Sequence, residues 1–267
     1  MPPNYPFPLD PVELRDAEES PARILKKLFH EEYEPGFLKI DRARERANPD
    51  YFAGIFRTIL ELVPISRALG EIDLARERLA LAPPALREAF QFGWRPDGDE
   101  AQESCAVAVI LGERHLAAAA AAADRGFSIQ SPDGKFVSTT DLAPNQQTRC
   151  LARLAADDDD GARAELAAMA DGIGGFKAAS DRRLLSAHAR MLAAVLDADS
   201  TELDDAARTL TTNLLDHIAT LRDRELSDDL IDWPTTGVLA VAQRRGIPIP
   251  TDLPTCPIEL ILPDWVD

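Results

Sequence analysis

The run "FHEEYE" sets His30 beside Glu31, Glu32 and Glu34. On a helix such a group can hold zinc, provided that a second histidine stands one turn on and shares the same face. Position 34 is glutamate, so the second nitrogen ligand is missing and the run reads as a solvated helix end. "AADDDDGARAEL" contains four consecutive carboxylates, Asp157, Asp158, Asp159 and Asp160. A calcium loop of the EF-hand type needs oxygen ligands at its first and twelfth positions and glycine at the sixth. With Gly161 as the sixth residue those two positions are Ala156 and Ala167, so the loop lacks two ligands. The aspartates fit better as cap and first-turn residues, whose negative charge offsets the partial positive charge at a helix start. "DGIGGFKAASD" has the glycines of a phosphate loop, but no strand precedes it and alanines follow Lys177. It is expected to join two helices.

Other candidate groups are dispersed. His115, His188 and His217 fall on three different expected helices, and Cys105, Cys150 and Cys256 lie far apart. That cysteine spacing fits neither a disulfide framework nor a zinc site. No serine or cysteine stands beside a base in the sequence, so neither a catalytic residue nor a cofactor or metal site is expected. One further acidic run, "RDRELSDDLIDWP", gathers Asp223, Glu225, Asp228, Asp229 and Asp232 against only Arg222 and Arg224. Together with Asp157–Asp160 it is the expected contact surface for a cationic partner, acting through long-range attraction.

The elements that carry these residues are helical. Hydrophobic residues make up 45% of the chain but aromatics only 6%, so the core must be built from Leu, Ala, Val and Ile, which suits closely packed helices. "NPDYFAGIFRTILELVPISRALG" places Phe52, Ile55, Phe56, Ile59, Leu60 and Val63 at helical spacing behind Pro49. Pro21 is expected to open a helix with Ser20 as its cap, and Asp181 and Ser200 to cap two later ones. "FSIQSPDGKFVSTTD" breaks the pattern, and a small hairpin or ordered loop is expected near residues 127–137. From Pro144 onward helices follow one another through short polar joints. "PTTGVLAVAQRRG" forms a narrow helix closed by Gly246, and a proline-spaced tail runs extended after it. The fold class expected is all-α, a single repeat-like array of packed helix pairs over 1–267, with a subdivision into 1–126 and 144–267.

Charge bounds the partners. The chain has 46 acids and 29 bases, a formal net charge of −17. The excess is concentrated in residues 151–267, which hold 22 acids and 11 bases. Such a field repels nucleic acid and anionic membranes and attracts basic proteins. Neither a signal peptide nor a membrane-spanning run is expected, which points to the cytoplasm.

The order of features between Pro144 and Pro257 resembles the immunity protein 49 family, the protective partners of bacterial polymorphic toxins. An Ala/Leu-rich helix is followed by "ADDDDGARAELAAM", "DRRLLSAHARMLAAVLDAD" and "LDDAARTLTTNLLDHIA". The series closes on "WPTTGVLAVAQRRGIPIP" and the proline-spaced tail. The resemblance implies a helical cytoplasmic protein that binds and blocks a cognate toxin and carries no catalytic residues. Alternatives are a helical-repeat scaffold or adaptor binding another cellular protein, and an enzyme whose dispersed residues meet only in the fold.

Overall fold

In the computed structural model, residue 5 and residues 9–29, 49–130, 136–139, 142–220 and 230–266 are described. Among the described residues the chain is all-helical apart from one pair of short strands, and it divides into two compact units. The first comprises residues 1–94 and 215–231, the second residues 95–214 and 232–267. The positions 126 and 144, where a subdivision is expected from sequence, both fall inside the second unit.

The first unit contains α1 (Pro11–Phe29), α2 (Pro49–Ala68), α3 (Ile72–Leu79) and α4 (Ala82–Gln91). The side chain of Asp10 accepts from the Val12 backbone N–H at 2.8 Å, so α1 starts at Pro11, where the missing proline donor costs nothing. Pro21 lies inside this helix and does not open a new one. Its fixed φ is compatible with a helix, and the cost is the bond that its absent N–H cannot make together with the crowding of its ring against the preceding turn. Tertiary ties hold the turns that precede the proline. Leu14 is buried with Tyr5, Ile65 and Leu230, while Glu18 takes an ion pair from Arg78 of α3 at 2.7 Å. Centrally, α2 buries Ala53, Ile55, Phe56, Ile59, Leu62 and Val63 against α1, α3 and α4.

The second unit is built around α5 (Gly98–Ile110), which packs on α6 (Arg114–Ala123), α7 (Ala143–Ala155) and α11 (Trp233–Arg244). Its start is fixed by a reciprocal cap. Asp97 accepts from the Glu100 N–H at 3.3 Å, and the Glu100 carboxylate accepts from the Asp97 N–H at 3.1 Å. Beyond α7, the helices α8 (Asp159–Ile173) and α9 (Ala179–Asp197) continue the array, and α10 (Ser200–Thr220) follows, its last residues counted in the first unit. Asp181 sits in the first turn of α9, behind the cap residue Ala178. At α10 the capping side chain is Asp199, which accepts from both Thr201 and Glu202 N–H at 3.0 Å. Ser200 is already helical, and a carboxylate that reaches two free donors outcompetes a hydroxyl as the cap.

The expected irregularity is an antiparallel hairpin. β1 (Phe127–Gln130) pairs with β2 (Phe136–Thr139) in the register Phe127 to Thr139 and Gln130 to Phe136. The expected narrow helix is α11. A Cβ on Gly237 would stand 3.0 Å from Ala106 Cα and 3.2 Å from Leu151 Cδ2, so any larger residue would force α5 and α7 to give by a few tenths of an ångström. Gly246, at φ +73°, follows the helix end. The tail then returns along the second unit with one 3-10 turn at Ile258–Leu260. Leu262 N–H donates to Ile110 O at 3.0 Å and Val266 N–H to Gly112 O at 2.8 Å. Two guanidinium groups lie over the Trp265 ring, Arg114 at 4.6 Å and Arg244 at 4.3 Å from its centroid.

Candidate functional site

The acidic run between α7 and α8 forms a tight corner. Asp157 takes a left-handed conformation, φ +58°, which an aspartate tolerates better than most residues. The corner lets Asp158 turn back to cap α8, accepting from Gly161 N–H at 3.0 Å. Arginines from three other places bind the same run. Arg153 reaches Asp158 at 3.0 Å, Arg114 reaches Asp157 at 3.0 Å, and Arg245 reaches Asp159 at 2.8 Å. Arg245 also donates to the Leu154 carbonyl at 2.9 Å, so it ties α11 to the end of α7. The side chains of Asp157 and Asp159 keep 58% and 51% of their exposure while paired. Asp160 is exposed. The corner is therefore both a structural joint and a rim of carboxylates open to solvent.

In the second acidic run, Asp223, Glu225, Asp228 and Asp229 lie outside the described residues. Asp232 has a local task. Its carboxylate accepts from Thr235 N–H at 2.9 Å and from the Thr235 hydroxyl at 2.7 Å, which caps α11. Its own N–H donates to Thr255 O at 2.9 Å.

The histidines do not assemble. His30 falls outside the described residues, and His115 and His217 are exposed on α6 and α10. His188 is buried in α9, and its Nδ1 has no hydrogen-bond partner. Burial lowers its pKa below the usual imidazole value, while the charge of Asp232 pulls the other way. All three thiols are buried and are pushed up to about 12 by burial. A thiol so placed holds its proton at neutral pH, which makes it unsuited to nucleophilic attack. Among the described residues, no three His, Cys, Asp or Glu side chains are grouped so as to hold a metal ion.

A polar seam inside the second unit went unread in the sequence. The Thr255 hydroxyl donates to the Thr211 hydroxyl at 3.2 Å, and Cys256 Sγ lies 3.9 Å from each. The Thr236 hydroxyl donates to Asp232 O at 2.7 Å. Its one sequence signal is a pair of proline-threonine steps, Pro234–Thr235 and Pro254–Thr255, just where a helix begins and where the tail turns. The hydroxyls satisfy one another and backbone carbonyls, as buried polar groups must. The seam holds the tail to α10 and α11.

No family model, curated protein or solved structure matches the chain. Among the described residues, no helix is long and apolar enough to cross a membrane.

Proposed function

We propose that this chain is an inhibitor of the immunity type, which binds a basic cognate toxin in the cytoplasm and blocks it by protein–protein contact. The resemblance of residues 144–257 to the immunity protein 49 family motivates the reading. The observation that carries it is how the second unit distributes its charge. Arg190 is held by Glu202 and Asp205, Arg208 by Asp204 and Asp252, and Arg163 by Asp197. Arg245 and Arg153 are held at the Asp157–Asp159 corner. Within these pairs Asp205, Asp252 and Asp197 remain more than half exposed. Arginines are thus neutralised and surplus carboxylates face solvent, the pattern that steers a cationic partner into contact.

The reading predicts a conditional phenotype. In the source organism, deleting this gene alone should arrest growth when the partner's gene is intact, and should have no effect when that gene is also deleted. The purified partner should be toxic on its own and inactive as a complex with this chain. Normal growth of the single deletion, with the partner gene expressed, would overturn the proposal.

A further inference from the structure

Arg183 departs from this charge pattern. It is exposed on α9 and, among the described residues, makes no ion pair or hydrogen bond, whereas most other arginines of the second unit are held by carboxylates or carbonyls. It lines an open cavity of about 520 Å³ between α9 and α10, together with Arg182, Arg190, Ser186, Thr209 and Asn213. That volume is within the range of small-molecule sites.

The other two guanidinium groups are anchored without being exhausted. Arg182 donates through Nη1 to the Phe176 and Lys177 carbonyls, at 2.6 and 2.8 Å, which leaves Nε and Nη2 uncommitted. Arg190 gives Nε to Glu202 and Nη2 to Asp205, which leaves Nη1. These bonds fix the stems, so little side-chain entropy remains to be lost when a ligand arrives. The same helix begins here on Ala178, with no side chain capping its first N–H groups. The nearby acids limit what can bind. Asp181 is exposed in the first turn of α9, and the carboxylates of Glu202 and Asp205 outnumber the single charge of Arg190. Net charge therefore favours no anion here, and selection falls to the directed N–H donors that remain. A phosphate monoester carries a charge of about −1.5 to −2 and accepts paired N–H donors from planar guanidinium groups.

We propose that this cavity binds a small phosphorylated, hydroxyl-bearing compound of the sugar-phosphate or polyol-phosphate kind. The lining holds no aromatic ring on which a base could stack, and its remaining members, Ala179 and Ala187, offer only methyl groups. Ser186, Thr209 and Asn213 supply the hydroxyl and amide groups that polyol hydroxyls require. The site is independent of the toxin reading and stands or falls separately.

Isothermal titration of the full chain tests it, with glucose 6-phosphate and glycerol 2-phosphate as probes and glucose and glycerol as uncharged controls. The phosphorylated probes should bind saturably, with Kd near or below about 1 mM, and the controls should not. R183Q should keep the wild-type melting temperature, since Arg183 holds nothing in the fold, and should weaken binding by about tenfold or more. R183K, which keeps the charge but loses the two-pronged donor, should fall between the two. The proposal is overturned by an absence of saturable binding up to about 10 mM, by equal binding to R183Q, or by citrate binding in preference to both phosphates.

Discussion

His188 shows what a single buried side chain does to the pH response of the whole. Its imidazole is nearly sealed in α9 with Nδ1 unpartnered, and burial disfavours the charged ring. The folded pKa is therefore lower than the unfolded value, 6.5. Above that value the ring is neutral in both states and contributes no pH dependence. As pH falls below it, the unfolded chain takes up the proton first, so stability falls through the window between the unfolded and folded pKa values. Urea denaturation at pH 7.5 and pH 5.5 should give a lower midpoint at the acid end, and His188→Phe should flatten the part of the slope due to this ring. An unchanged slope in that variant would place the acid sensitivity in other groups. The thiols give a second expectation. With Cys105, Cys150 and Cys256 all buried and pushed up to about 12, an aromatic disulfide reagent should label none rapidly in the native state and all three after unfolding. Rapid labelling of one native cysteine would show that its cover opens easily.

At the scale of the element, α11 depends on the absence of a side chain. Alanine is ordinarily better than glycine in a helix by about 1 kcal/mol, so an exposed Gly237 would be improved by replacement. Here the added carbon would meet the backbone of Ala106 at 3.0 Å, and backbone does not yield as a flexible side chain does. Gly237→Ala should thus destabilise slightly or at best be neutral. Gly237→Val, with two further methyls, should cost about 1–3 kcal/mol as an overpacked core does. Thermal melts of both variants read the order directly, and a stabilised Gly237→Val would mean that α5 and α11 separate easily. The narrowness of this helix was legible in "TTGVLAVA", because small residues in succession have few other uses. So were the acidic cap at "DDDDG" and the strand pair Phe127–Gln130 and Phe136–Thr139, each read from local sequence. The start of α1 was not, because Pro21 is a breaker by local rules and the ties to Leu14 and Glu18 come from distant sequence. The same limit hid the seam of Thr211, Thr255 and Cys256, and the convergence of Arg182, Arg183 and Arg190 on one cavity. Helical spacing can put arginines on one face, but only packing against α10 turns that face into a pocket.

For the molecule as a whole, the charge of −17 acts beyond any single pair, and the acidic runs test whether it serves binding. Two sets of carboxylates are informative. The first, Asp157–Asp160, is changed to asparagine throughout. Asparagine caps a helix about as well as aspartate, so the cap at the start of α8, which accepts from the Gly161 N–H, survives the loss of charge. The exposed ion pairs lost with it are worth about 0–1 kcal/mol each, so the fold should persist. The second set changes Asp223, Glu225, Asp228 and Asp229 to their amides and spares Asp232, which caps α11. If the carboxylates steer a basic toxin, each set should slow association by about tenfold while changing dissociation much less. The attraction is screened over about 8 Å at physiological salt, so added salt should weaken wild-type binding more than binding by either variant. Stopped-flow association at two salt concentrations separates the outcomes. A loss confined to one set locates the contact on that run. Unchanged association and salt dependence in both would reduce the acidity to a solvated surface and remove the charge argument for a basic partner.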